Sequence, residues 1–217
     1  MKTSLRLGFA AAIVLALMPA AATGAVRHPI NAMVLQTIGQ YRDREHGDSI
    51  WPSAAGTHGT TRDLLLGNTV VARAGKGTYC VGVTFEVLWR TLERLPGGLR
   101  KVGLTPKTAH RLLYLWFVPK LNGLGPAQAL PALGLGRRIH DLEDAQPGDF
   151  VQFWGQGWGH SAVFLAWQRD KFGVIRGIKF WSSQVWSHGI GTVAMVIGPQ
   201  RGAVDRRRIF LARAEVQ

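Results

Sequence analysis

One cysteine, Cys80, stands in 217 residues, so no disulfide can close within the chain. Its thiol is either a small buried hydrophobe or one kept for chemistry. Acidic side chains are scarce as well, 13 against 26 Lys and Arg, for a formal charge of +13. Neither HExxH nor a paired Cys/His spacing occurs, which removes the ground for a zinc enzyme built on His46, His58 and a third ligand. The fragment AGKGT lacks the first glycine of a phosphate loop, and Thr78 does not follow Lys76 directly. No zinc-finger or RNP-like pattern accompanies the tightest basic run, Arg206 to Arg208, so no specific nucleic-acid partner is expected. Repeats and low-complexity tracts are absent too. No cofactor and no metal is implied.

What is present begins with Lys2 and Arg6, an apolar run from Leu7 to Met18, and small residues from Ala20 to Ala25. The run is shorter than the roughly 18 to 20 residues a spanning helix needs, so residues 1–25 read as a signal peptide. The mature chain is expected to start between Thr23 and Val26, without a transmembrane segment, and to be periplasmic or extracellular. Loss of Lys2 and Arg6 leaves it strongly basic. An exported basic chain suits the acidic polymers of a cell envelope. At this length, with 47% hydrophobic side chains, one domain and a monomer are expected.

Along the chain, Asn31 is placed to cap a helix bearing Met33, Val34, Ile38 and Tyr41, which ends near Arg42 to Asp48. Small and turn-forming residues from Trp51 to Gly59 predict a surface loop leading to the apolar segment Leu64 to Val71. Residues 26–75 thus read as a helix-and-loop extension. Cys80 follows Gly75-Lys76-Gly77-Thr78 and opens a helix running to Arg94 or Leu95, stopped by Pro96-Gly97-Gly98. Thr105 and Pro106 cap a second, apolar helix over Leu112, Leu113 and Trp116, and a short one is expected from Pro126. Residues from about 96 to 146 therefore read as a helical insertion.

The pattern changes at Gln146-Pro147-Gly148-Asp149, a turn with Asp149 as its structural residue. Strands then start at Phe150, His160, Val174, Gly191 and Arg208. Their short connections permit antiparallel neighbours, so the whole is α+β, with N-terminal helices on a C-terminal antiparallel sheet of four or five strands.

A thiol at a helix N-terminus meets free backbone N–H groups and the positive end of the helix dipole, both of which favour the thiolate. It needs a base, and seven histidines compete. His160 differs from the rest: it follows the glycine-rich bend Gly155 to Gly159 and opens a strand, which fixes its ring better than a loop. His188 lies in a turn. Alternation along IKFWSSQ places Ile178, Phe180, Ser182 and Gln184 on one face and Lys179, Trp181 and Ser183 on the other. Gln184 or Ser182 is placed to accept from the imidazole N–H.

Two segments, Tyr79-Cys80-Val81-Gly82 and Gln146 to Asp149 through Gly159-His160-Ser161-Ala162-Val163, resemble the papain-like cell-wall hydrolases, the NlpC-type peptidases and CHAP-type amidases. The resemblance covers about 79–198 and implies a papain-like domain over residues 76–217. It implies Cys80 as nucleophile, His160 as general base and a polar residue on the next strand as orienter. It departs from the family pattern at Tyr79 and Val81, where a polar residue and Ser are common, and it offers no carboxylate as third residue. The Cys80 backbone N–H would hold an oxyanion, with Tyr79 as a neighbouring group. Trp154, Trp158, Trp181 and Trp186 flank the site as a platform for a sugar face or peptide. The implied function is that of an exported cysteine peptidase or amidase acting on peptidoglycan or another cell-wall peptide. Two alternatives share these residues: a non-catalytic envelope-binding protein, and a thiol acyltransferase.

Overall fold

The computed structural model describes residues 27–43, 56–118 and 122–217. The expected leader, and the loop residues from 44 to 55 with His46, lie outside these. In chain order the elements are β1 (His28–Pro29), α1 (Asn31–Ile38), β2 (Leu64–Leu66), β3 (Thr69–Ala72), α2 (Cys80–Glu93) and α3 (Gly98–Lys101). Then follow α4 (Pro106–Trp116), α5 (Pro126–Ala132), β4 (Gly136–Ile139), β5 (Phe150–Trp154), β6 (Gly159–Arg169), β7 (Ile175–Gln184), β8 (Gly189–Val196) and β9 (Ile209–Val216).

Two-residue periodicity and tight turns make β5 to β8 a meander, and β9 returns to the outer side of β5. The sheet runs β1-β9-β5-β6-β7-β8, with β4 also paired to β9, and every pairing is antiparallel. It has seven strands rather than four or five. The two extra strands were hidden for physical reasons. β1 is two residues long, and β4 reads Gly-Arg-Arg-Ile, a polar segment made into a strand by its partner β9. The stretch expected to be a helical insertion thus holds three helices and a strand.

Alternation divides the sheet into two faces, each with its own core. Val163, Trp181, Ala212 and Ala214 meet the helices, whereas Val151, Phe153, Ala162, Phe164, Ile178, Phe180 and Leu211 fill the opposite side of the curled sheet. Helix α2 lies against the first face and is buried almost all round, with Val83, Phe85, Val87, Leu88 and Trp89 inaccessible to solvent. Each such side chain stabilises the fold by about 1.5–3 kcal/mol through burial. Ile30 and Val34 from the first segment, and Leu64 and Val71 from the hairpin β2–β3, belong to this same core.

Thr105 caps α4 as expected: its hydroxyl accepts from the Thr108 N–H, and the Thr108 hydroxyl bonds back to the Thr105 N–H at 2.8 Å. Asn31 does not cap α1. The cap position is Ile30, and the Asn31 amide instead donates to Pro147 O at 3.0 Å and Asp149 Oδ1 at 2.8 Å, because tertiary acceptors compete with the local one. The segment Leu64 to Val71 forms a hairpin where the sequence reads as a short run after a loop. Asp149 is fully buried, and it accepts from Arg213 at 2.8 and 2.9 Å and from the Gln146 N–H. It locks the turn ahead of β5 to β9.

Candidate functional site

Tyr79 is the extended residue before α2 and makes no side-chain cap. The first-turn N–H groups are therefore left to other acceptors. One acceptor is the thiol. Backbone N–H groups of Ser161, Val81 and Cys80 itself are directed at the sulfur and favour its thiolate. Burial opposes them and wins, so the Cys80 thiol is pushed up from its ordinary value rather than down. The helix terminus does not produce the resting thiolate that its position in the sequence leads one to expect.

The loop at His58 and Gly59 crosses the first turn of α2 so closely that a Cβ on Gly82 would lie 2.0 Å from the His58 carbonyl oxygen. That contact explains a glycine two residues after the cysteine. One turn on, Thr84 Oγ donates to the Cys80 carbonyl at 2.9 Å and lies 3.0 Å from Ser161 Oγ. Helix α2 is thereby pinned to β6 beside His160.

His160 is the second residue of β6 and is 7% exposed. Its ring lies 5.5 Å from that of Phe153, 5.3 Å from Phe180 and 6.2 Å from Trp186. A Cβ at Gly159 would strike the Trp154 ring at 2.4 Å, so the glycine before the histidine is what lets that indole pack there. The aromatic enclosure pushes the imidazole pKa down to about 4, against a Gln184 contact that raises it. His160 Nε2 and Gln184 Oε1 are both buried with no hydrogen-bond partner among the described residues, while Gln184 stands close enough to the ring to favour its charged form. Gln184 Nε2 donates to Ser187 Oγ. Ser187 in turn donates to Gly189 O, 2.7 Å away.

Cys80, His160, Gln184 and Gln152 line one cleft of about 620 Å³ with Tyr79, Trp154 and Trp158. Tyr79 and Trp154 are mostly buried, and the Trp154 indole donates to Gly123 O at 3.0 Å. Trp181 is not part of the platform: it is 4% exposed, packs 5.1 Å from Tyr41 in the helix-side core, and leaves the cleft wall to its neighbours. Ser182 is not an orienter either. Its hydroxyl donates to Ser161 O at 2.7 Å, as a strap between neighbouring strands. His188 has a left-handed φ of 52° in the β7–β8 turn and stays outside the cleft.

Sequence reasoning passed over Gln152, Phe117 and Val118, all of which line the cleft. Alternation on β5 was the available signal for Gln152, since it puts this residue opposite in face to Phe153 and level with Ser161. Trp186, 57% exposed, forms the rim. His58 uses Nδ1 to accept the Arg73 N–H at 3.0 Å, and no cluster of three or more metal-ligating side chains occurs among the described residues. No helix among them is long and apolar enough to cross a membrane. Searches with the chain match no protein-family model, no curated protein and no solved structure.

Proposed function

We propose that the protein is a papain-like cysteine hydrolase, acting through Cys80 and His160 and an acyl-enzyme on an amide bond of peptidoglycan or a related envelope polymer. The observation that carries this reading is the meeting of an uncapped helix N-terminus bearing the lone thiol with a strand bearing a buried, oriented imidazole in one cleft.

In this mechanism the pair rests as neutral thiol and neutral imidazole, because burial opposes charge on both. In this reading Gln184, held by Ser187, would accept the Nε2 proton of His160 and leave Nδ1 to take the thiol proton. As Cys80 Sγ attacks the carbonyl carbon, His160 takes the thiol proton, and the oxyanion is held by the Cys80 and Val81 N–H groups, with the Gln152 amide nearby. The C–N bond breaks as His160 returns that proton to the amine. Water, deprotonated by the same imidazole, then attacks the thioester carbonyl, the C–S bond breaks, the imidazolium returns its proton to Cys80 Sγ, and the carboxylic acid leaves. The expected leader and the basic charge support an envelope substrate.

The test is digestion of purified peptidoglycan by the exported form of the chain, with products read by mass spectrometry. New amine and carboxylate termini are expected, absent with Cys80→Ala and His160→Ala. Identical products from the wild type and Cys80→Ala would end this reading.

A further inference from the structure

Apolar or aromatic side chains, among them Tyr79, Phe117, Val118, Trp154, Trp158 and Trp186, form much of the wall around Cys80. The polar remainder is neutral. The hydroxyls of Ser161 and Ser183 are already paired with Thr84 at 3.0 Å and Thr78 at 2.8 Å, Gln184 donates to Ser187, and the Gln152 amide, an uncharged donor, reaches Phe153 O at 3.4 Å. Among the described residues no Lys, Arg, Asp or Glu lines this cleft, in a chain that has 26 basic and 13 acidic residues. His160 adds no charge above about pH 4. An ion entering here would lose hydration and meet no counter-ion among the described residues, the first-turn N–H groups of α2 being directed at the Cys80 sulfur, whereas an uncharged group loses little and gains aromatic contact.

We propose that the cleft takes an uncharged, apolar acyl group beside the reacting carbonyl and rejects one that carries a carboxylate there. The word acyl rests on the hydrolase reading above. Selection of neutral over anionic groups is a property of the cleft alone.

Alkylation of Cys80 separates the two ideas, because it needs no turnover. Iodoacetate, iodoacetamide and N-hexyl iodoacetamide are compared at about pH 8 and moderate salt, each rate being divided by its rate with glutathione. Iodoacetamide is expected to exceed iodoacetate by about tenfold or more, with the hexyl probe faster still. The chain's positive charge attracts anions, so a preference for the neutral probes has to arise inside the cleft. Trp186→Arg, which places a cation at the exposed rim, should move the ratio back toward iodoacetate. Equal normalised rates, a preference for iodoacetate, or no reaction with the hexyl probe would overturn the proposal. A neutral preference in a protein that cleaves no wall amide would leave the cleft's selectivity standing and remove the hydrolase reading.

Discussion

Ser187 Oγ gives its proton to a backbone carbonyl, so it accepts from Gln184, and the buried Gln184 amide oxygen is left without a hydrogen-bond partner among the described residues, beside a ring whose charged form it favours. Loss of that oxygen removes a contact that favours imidazolium, while a carboxylate in its place strengthens it. The acid limb of activity is accordingly expected near pH 4 in the wild type rather than near 6.5. Gln184→Ala should shift it lower, with kcat reduced about 10- to 100-fold, and Gln184→Glu should shift it higher. A pH profile of kcat/KM decides this, and shifts of one direction in both variants would deny Gln184 a hold on the ring. Stability carries the same signature. Between pH 6.5 and about 4 the unfolded chain binds a proton at His160 that the folded one does not, so folding weakens as pH falls through this window. The loss amounts to on the order of 3 kcal/mol by about pH 4, and urea titrations of wild type and His160→Gln should diverge in slope only there. That Cys80, His160 and Gln184 would meet in one cleft was legible in the sequence, because motif, strand start and alternation each mark one of them. Trp181 and Ser182 misled, since alternation gives the face of a strand and not how far along it a cleft reaches: Ser183, on the face of Trp181, and Gln184, on the face of Ser182, both line it.

At the scale of elements, the fold legible in the sequence was the part governed by local rules. Thr105 with Pro106 announces α4, and turn residues separate β5 to β8. What non-local partners impose was hidden: β4 becomes a strand beside β9, and Asn31 turns from capping to hold Asp149. Helix α2 shows both kinds of rule. Its hydrophobic spacing is visible, but its first turn is shaped by the loop at His58 and Gly59, which touches it at Gly82. Gly82→Ala sets a methyl group against backbone that has no free rotamer to yield. It should cost about 1–3 kcal/mol of stability, read as a lower urea midpoint at unchanged slope. Because the displaced loop also carries the Tyr79 packing, Cys80 alkylation should change as well. Unaltered stability would show that the loop sits farther from α2.

Across the whole molecule, charge and cleft are set apart. The sequence carries a formal +13, Arg206, Arg207 and Arg208 stand beside a separate hollow, and the wall around Cys80 is neutral among the described residues. On the proposed function two jobs would be divided: the basic exterior would gather an anionic polymer by long-range attraction, and the neutral cleft would choose the bond. The division has a measurable consequence, because surface attraction is screened over about 8 Å at physiological salt and over still less above it, whereas apolar contact in the cleft is not. Raising salt from about 50 to 500 mM should lower the rate on insoluble, anionic wall polymer by about tenfold or more. Over the same range, turnover of a small uncharged ester by Cys80 should hardly change. Parallel decline of both rates would mean that salt acts on the fold or on the cleft itself, and the exterior would then have no part in capturing substrate.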